Sequence, residues 1–505
     1  MIRTLMVAAR DRDRLGEIAS VAGRYGLGVL LARLGLEKAP GTEGMGDTPL
    51  PRRTRLALEA LGPTFVKLGQ ILATRADLLS PEWIGELEQL HSQAPTLPFE
   101  ELRATVEAAL GQPPEEAFAT FDREPLAAAS MAQVHRATLI GGGDVVLKIR
   151  RPGIRPRVEA DLRLIAQLAG IVEGASAEAR RFAPTAMVRQ LAEAMLEELD
   201  FTGEGRNADR LRADFVRDSR VVVPDIHWQW SSETLLVMDY VEGVPPRSGG
   251  MLRDAGIDPA AIADLGADVV LDMVLINGRF HADPHPGNLL CLPGNRLALL
   301  DLGMIGHVSP RRREEFFGFV QSLVSGDPAG LADTLAVWSE GSGVPRERIM
   351  HAAARLAARH GGGRLVLSAM VADFFPLLRE EGLVMPPDLL LIFKALVTID
   401  GVLTGIEPDV DLSAAMRRAW PRLMRARLSP DNWGPVAQSL LLELFRMGDD
   451  APRLLRALVR RLEEAPDRPS HDEAIATSIR SAGQWIAGAV LLSAIVIALS
   501  LLSSG

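Results

Sequence analysis

Apolar positions recur along this chain with two periods, and the places where the period changes outline its elements. Leu56, Leu61, Phe65, Leu68, Leu72 and Leu79 return every three to seven residues, the spacing of one buried helix face, and predict several helices between Arg52 and about Leu110. Ser80-Pro81-Glu82 reads as a helix start, with Ser as the cap, Pro in the first helical position and an acid in the first turn. Pro98 to Leu110 predicts another short helix. Beyond Phe118 the pattern turns strand-like: Asp144-Val-Val-Leu-Lys-Ile149, Val221-Val-Val223 and Thr234-Leu-Leu-Val-Met238 are β-rich, and Gly141-Gly-Gly143 predicts a hairpin turn before the first of them. Val188, Leu191, Met195 and Leu199 keep helical spacing between Met187 and Leu199. An apolar helix is predicted from Pro259 to Arg279, a short strand at Arg296-Leu-Ala-Leu-Leu300, and helices from Ser309-Pro310 to about Trp420 and again from Ser429-Pro430. Arginine-bearing amphipathic segments broken at Pro466 and Pro469 fill Arg446 to Arg480.

The last apolar run differs in kind. Gln484 to Leu502 is uncharged and almost wholly apolar, about the length that crosses a bilayer at 1.5 Å of rise per residue. Trp485 suits an interfacial anchor, and the basic residues before it predict that the body of the protein lies on the cytoplasmic side of an inner membrane. The N-terminal segment reads otherwise. Arg10-Asp-Arg-Asp-Arg14 interrupts it, which excludes a secretory signal, and its acids weaken a mitochondrial-type presequence. It is read as a helical arm packing on the rest of the protein, followed by a Gly- and Pro-rich linker from Gly41 to Pro51.

Composition narrows the function classes. With 505 residues and 47% hydrophobic content the chain has room for two or more cores. Its formal charge of −10 argues against a nucleic-acid partner. A single cysteine, Cys291, excludes both a disulfide framework and a cysteine zinc site; lying between apolar residues, it is read as a buried, inert thiol. His281, His285 and His307 cluster in sequence without zinc-ligand spacing. There is no internal repeat.

The chemistry concentrates between Gly278 and Gly306. Asp283 precedes Asn288 by five residues, and the strand at Arg296–Leu300 delivers Asp301 into a Leu-Gly turn. Protein kinases use these groups in this order: a loop Asp that orients the attacking hydroxyl, an Asn that holds Mg²⁺, and a second metal-binding Asp before Gly. The residue types follow from the reaction, because a hard cation takes carboxylate and amide oxygens. Upstream, Lys148 stands in an apolar strand, an expensive place for a charge without partners. That strand fits the kinase element whose lysine binds the α- and β-phosphates of ATP.

His281-Ala-Asp-Pro-His-Pro-Gly-Asn288 followed by Asp301-Leu-Gly-Met304 resembles the UbiB-type, ADCK-like atypical kinase family of ubiquinone (coenzyme Q) biosynthesis. Lys67, Gly69 and Gln70 match the family's Lys-x-Gly-Gln helix, which lies over the active site and partly fills the space for a protein substrate. The stretch Glu124 to His135 stands where a kinase has its Gly-rich loop but carries Leu126, Ala127, Ala128, Ala129, Ser130 and Val134, similar to the family's Ala-rich nucleotide loop. Alanine avoids positive φ, so this backbone cannot wrap a phosphate as glycines do. Glu198 and Asp200 match the family's Glu-x-Asp motif, and Glu204 to Asn207 its Glu-x-x-Asn. Gly205 stands where Ala is common, a change expected to matter little. The resemblance implies that Glu198 or Asp200 lies within reach of Lys148 and Lys67, and that Lys67 and Gln70 contact this acidic pair. It also makes Met238, Asp239 and Val241 the adenine-binding hinge, with Met238 guarding the pocket.

The expected architecture is therefore an α+β, protein-kinase-like bilobal fold. An N-terminal arm and linker (1–51) lead to a helical extension (52–117), a β-rich lobe (118–245) and a helical lobe (246–430). An amphipathic segment (431–483) and a hydrophobic anchor helix (484–502) complete the chain. The implied function is that of a membrane-anchored atypical kinase or ATPase using ATP and Mg²⁺. Its other partners would be membrane lipid, ubiquinone precursors and other ubiquinone-pathway enzymes. A non-catalytic, nucleotide-switched scaffold or lipid-mobilising factor shares the same ATP site and stays open as an alternative. A ring hydroxylase is disfavoured, since the chain has no G-x-G-x-x-G fingerprint, no haem-thiolate candidate beyond Cys291 and no iron triad.

Overall fold

In the computed structural model, the run around Lys148 becomes the central strand of an antiparallel sheet. The structure describes residues 11–27, 48–73, 79–90, 95–175, 184–339, 343–361, 367–383, 385–408, 410 and 412–428. The chain divides into two units, 1–424 and 425–505, and apart from the last residues of one helix the described architecture belongs to the first. The amphipathic segment 431–483 and the apolar run 484–502 lie outside the described residues.

The sheet contains β1 (Phe118–Phe121), β3 (Ala132–Leu139), β4 (Asp144–Arg150) and β6 (Leu235–Asp239) in that spatial order, with the short β2 (Ala127–Ala128) paired to β3. The β3–β4 hairpin turns at Gly142 and Gly143, whose φ of 86° and 100° side chains rarely adopt. Alternation along β4 then decides which side chain goes where. Val145, Leu147 and Ile149 face a core built with Phe99, Leu102 and Val106 of α5 (Phe99–Leu110). Lys148 takes the opposite face, where Leu236 of β6 packs with Ala132 and Phe201.

Among the described residues, α1 (Arg12–Arg24), α2 (Leu50–Leu61), α3 (Pro63–Ala73) and α4 (Pro81–Leu87) precede α5. After a single turn, α6 (Pro114–Ala117), and the hairpin come α7 (Ile154–Ala175), α8 (Pro184–Glu198) and α9 (Phe201–Asp214). Val21, Leu61, Phe65, Val158, Leu162, Leu191 and Met195 form one buried cluster, so the N-terminal arm docks through α1 onto α2, α3, α7 and α8. Arg14 of α1 secures it, giving Nε and Nη2 to the two carboxylate oxygens of Asp161 at 2.6 and 3.0 Å and Nη2 to the Leu61 carbonyl at 2.6 Å.

The second half of the unit is helical: α10 (Gly249–Asp254), α11 (Pro259–Leu271), α12 (Pro310–Ser325), α13 (Pro328–Trp338), α14 (Arg346–His360), α15 (Leu367–Glu381), α16 (Pro387–Ile406) and α17 (Leu412–Leu428). Two small sheets interrupt it, β5 (Val221–Val222)–β9 (Arg296–Leu299)–β8 (Leu289–Leu292) and β7 (Arg279–His281)–β10 (Ile305–His307). The helix predicted from Pro259 to Arg279 is shorter than expected. It is α-helical to Leu271, widens to a π-helix over Asp272–Asn277, and stops at Gly278 with φ of 68°. Among the described residues one segment, Asp388–Ile406, is long and apolar enough to cross a membrane, with a mean hydropathy of 2.0. It is half buried, and its Leu389, Ile392, Phe393, Leu396 and Leu403 belong to the main helical core.

Candidate active site

Lys148 reaches from the face of β4 that looks away from α5 across to α9. Its Nζ lies 2.9 and 2.8 Å from the two carboxylate oxygens of Glu204, 3.2 Å from Oδ1 of Asp301, and 5.5 Å from the centre of the Phe201 ring. Burial disfavours the ammonium, but the charges of Asp301 and Glu204 outweigh it and hold Lys148 above the usual lysine range. Glu204 is pushed up to about 7 by burial, opposed by Lys148 and reinforced by the charges of Asp301 and Glu198. Asp301 is held below the usual carboxylate range, mainly by the Lys148 charge working against burial. The centre therefore gathers more carboxylate than one lysine neutralises.

This geometry corrects the expected pairing. Glu198 sits at the C-terminal end of α8 and meets Lys67 of α3 at 3.2 Å instead of Lys148. Asp200 is the cap of α9, accepting from Thr202 N at 3.0 Å and Thr202 Oγ1 at 2.7 Å. A cap side chain is committed to its own helix start, and the acid that projects toward the sheet is Glu204, one turn on. Gln70 also departs from expectation: its Nε2 donates to the Leu90 carbonyl at 3.1 Å, tying α3 to the end of the α4 turn. A Cβ on Gly69 would lie 2.3 Å from Leu90 Cδ1 and 2.9 Å from Leu58 Cδ1, so glycine permits the close approach of these helices. The chain has only four lysines, Lys38, Lys67, Lys148 and Lys394, and two of them stand here. A compact ammonium, not the planar guanidinium used almost everywhere else, is what this site employs.

Asn207, one turn beyond Glu204, donates Nδ2 to the Leu302 carbonyl at 3.1 Å, so α9 holds both Lys148 and the Asp301-Leu-Gly303 turn. Asp301 has φ of 48°, one of two described non-glycine residues in this region, the other being Asn295. Aspartate tolerates this conformation better than most residues, and it aims the carboxylate at Lys148. The loop before it is zipped to the turn. Leu300 N donates to the Asn288 carbonyl at 2.8 Å and Ala282 N to the Met304 carbonyl at 3.0 Å. Asn288 Nδ2 donates to the Asp283 carbonyl at 3.1 Å, which directs its Oδ1 the other way. His281 is buried between the two: its Nδ1 accepts from Asp283 N at 3.2 Å, so its Nε2 carries the hydrogen toward the Leu300 carbonyl at 3.0 Å. Burial holds this imidazole below the usual histidine range, in keeping with a neutral ring that shapes the loop. Asp283 itself is half-buried, with Oδ2 4.0 Å from His285 Nε2.

The alanine loop closes without positive φ at any of its residues. Leu126 N donates to the Val134 carbonyl, Ala127 and Ala128 pair with Val134 and Gln133, and Ala129 N donates to the Ala132 carbonyl across the Ser130 turn. Val134 lies opposite Lys148 in register. Arg151 Nε fixes the Ala129 carbonyl at 3.0 Å. Met238 packs beside Leu236 and bridges to Ile226, Asp239 accepts from His227 Nε2 at 2.8 Å, and the half-buried Val241 follows. Cys291 is fully buried and its thiol is pushed up to about 12. No group of three or more His, Cys, Asp or Glu side chains is arranged to hold a metal among the described residues. Asp301 and Asn288 instead offer the mixed carboxylate and amide oxygens that suit Mg²⁺ shared with phosphate.

A sheet with a glutamate-paired lysine, followed by a helical region that presents an Asp-x4-Asn loop and an Asp-Leu-Gly turn, is a mixed α/β arrangement consistent with a kinase-like fold. Comparison with known proteins specifies the class. Residues 89–335 match the ABC1 atypical kinase-like domain and residues 364–411 the UbiB helical domain. The protein is 31% identical to the Probable protein kinase UbiB of Xylella fastidiosa, over 89% of this chain and 84% of that one. It is 30% identical to that of Marinobacter nauticus, over 87% and 83%. A solved complex of Rv3197 with erythromycin, from Mycobacterium tuberculosis, is similar with a TM-score of 0.49 and 23% identity, covering 68% of this chain and 89% of that chain. The chain belongs to the UbiB/ABC1 atypical kinase family.

Proposed function

We propose that this protein is a membrane-anchored atypical kinase or ATPase that binds Mg-ATP and supports ubiquinone biosynthesis. The observation that carries the reading is the Lys148 ammonium held between Glu204 and Asp301 at 2.8 and 3.2 Å. Lys148 holds the ATP phosphates, and Met238, Asp239 and Val241 form the edge that takes the adenine, under a loop of Leu126 to Ser130 and Val134. Asn288 and Asp301 hold Mg²⁺, which supplies neutralisation of the phosphate charge. Asp283, half-buried in the loop, orients the attacking hydroxyl or water. Phosphoryl transfer asks for positioning and charge stabilisation more than covalent chemistry, and these groups provide both. Lys67, engaged with Glu198 beside the site, and Gln70, which ties the same helix down, restrict access by a protein substrate; this favours water or a small, lipid-like acceptor. The uncharged run from Gln484 to Leu502 anchors the body at the membrane where ubiquinone precursors reside.

The test is phosphate release from Mg-ATP by detergent-solubilised protein, with and without anionic liposomes and a phenolic ubiquinone-precursor mimic. Turnover is expected to rise with both and to vanish in Asp283→Asn. Turnover unchanged in that variant would refute the role of Asp283. Calorimetry on Asp301→Asn is expected to show loss of Mg-ATP binding, and unchanged affinity would count against the site.

A further inference from the structure

Glu204 and Asn207 occupy one side of α9, toward Lys148 and Leu302. A second stripe of the same helix, Gly205, Asp209 and Arg212, recurs at i, i+4 and i+7 and meets a different partner. Trp228 lies along it. A Cβ on Gly205 would sit 2.8 Å from the Trp228 Cη2 and 3.1 Å from its Cζ2, so the ring rests on bare helix backbone. One turn on, Trp228 Nε1 donates to Asp209 Oδ2 at 2.7 Å. Further along, Arg212 pairs with Asp209 and with Asp225. The segment Asp225–Trp228 is fastened equally well at its other side. His227 N donates to the Val237 carbonyl at 2.9 Å, Asp239 N to the Asp225 carbonyl at 3.0 Å, Ile226 bridges to Met238, and His227 Nε2 meets Asp239 Oδ1 at 2.8 Å. Every one of these attachments falls on the last three residues of β6. The segment is a clip, with one jaw on the strand end proposed to take the adenine and the other on the helix that carries the partner of Lys148.

We propose that Trp228 is a positioning residue that locks α9 to the end of β6, so that Glu204, Asn207 and the Met238–Asp239 edge hold one register. Gly205 is the complement of the ring. Where Ala was expected to serve as well, the side chain would collide with Trp228 and press on Leu236, so that glycine, a poor interior helix residue, is what permits the contact. The proposal rests on the nucleotide reading only for its effect on ATP; the lock itself is a statement about Lys148 and Glu204.

The test uses the full-length protein in detergent and the variants Trp228→Ala, Gly205→Ala and Gly205→Ala/Trp228→Phe. Competitive acetylation of the lysines, resolved by mass spectrometry, gives the reactivity of Lys148 relative to Lys394, which is exposed on α16. Lys148 is expected to react several-fold faster in Trp228→Ala and in Gly205→Ala. It should return toward the wild-type rate in the double variant, where a smaller ring makes room for the new methyl. Lys394 is expected to stay unchanged throughout. Calorimetry is expected to show Mg-ATP affinity falling roughly tenfold in Trp228→Ala, the worth of one charge-assisted contact, while adenosine affinity holds. Equal Lys148 reactivity in all four proteins overturns the lock, and so does a parallel rise at Lys394, which would report general loosening. Absence of ATP binding by the wild type would overturn the nucleotide reading while the acetylation pattern still decides the role of Trp228.

Discussion

Replacing Arg14 by methionine should undock the N-terminal helix α1 from α7, by an amount the structure sets. Arg14 and Asp161 are 8% and 1% exposed, and the guanidinium makes a two-pronged contact with the carboxylate. Removing one member of such a pair leaves a buried charge without its partner and costs about 3–5 kcal/mol. The loss falls on α1, which holds Val21 and Ala22 against the neighbouring helices and can detach without global unfolding. Native-state hydrogen exchange of the α1 amides should therefore accelerate by roughly a hundredfold to a few thousandfold.

The effect carries a pH signature. Burial already holds the Asp161 carboxyl above its usual range, against the hydrogen bond and charge of Arg14. A carboxyl raised in the folded state contributes stability that is complete below its unfolded value and is lost as pH rises through the folded one. Without Arg14 the folded value climbs further. The ratio of variant to wild-type exchange, compared at equal pH, should be smaller on the acid side of that folded value and larger on its alkaline side. Arg14→Met/Asp161→Leu should recover most of the protection on both sides. A ratio that stays near one, or one that does not change with pH, would refute the argument that this pair holds the arm.

Two further outcomes are expected. Gly69→Ala places a methyl 2.3 Å from Leu90 Cδ1 and should lower stability by about 1–3 kcal/mol in denaturant unfolding, with partial relief in Gly69→Ala/Leu90→Ala; an unchanged midpoint would remove the packing explanation for this glycine. His281, held below its usual range by burial, should keep the carbon shifts of a neutral ring protonated on Nε2 at pH 6; since its folded value is depressed, its contribution to stability is present above the unfolded value near 6.5 and lost as pH falls through the folded one, and an NMR midpoint at or above 6.5 would contradict the assigned hydrogen bonds.

Much of the fold was legible because strong periodicity and local punctuation agree. The hairpin at Gly141–Gly143 announced β3 and β4, Ser309-Pro310 started α12 where it stands, and the apolar run around Lys148 is the strand β4. The π-helix at Asp272–Asn277 left no such mark. Its residues, Asp-Met-Val-Leu-Ile-Asn, read equally well as an ordinary helical turn, and the wider winding is set by packing around Met273, Val274 and Leu275. The clip at Trp228 was equally invisible. It joins residues from two elements separated in sequence, and a glycine within a helix reads as a weakness until the ring above it is seen.

The acid that serves Lys148 shows most clearly where local reading stops. The apolar stripe of Val188, Leu191, Met195 and Leu199 runs unbroken toward Glu198 and Asp200, so periodicity alone puts those carboxylates at the end of the helix nearest the site. The chain instead breaks at Asp200, whose side chain turns back to cap Thr202, and a new helix begins at Phe201. A cap resets helical phase, and phase decides which carboxylate faces the sheet. With α8 and α9 separated, Glu198 points to Lys67 and Glu204 to Lys148, so the two lysines are served by acids from different helices. Each lysine can then respond to the movement of its own helix, which a single shared acidic pair would not allow. Of the two helices that carry these acids, the Asp225–Trp228 clip holds α9, and it should reach Lys148 without disturbing the Lys67–Glu198 contact, which makes the acetylation of Lys67 the internal control for that separation.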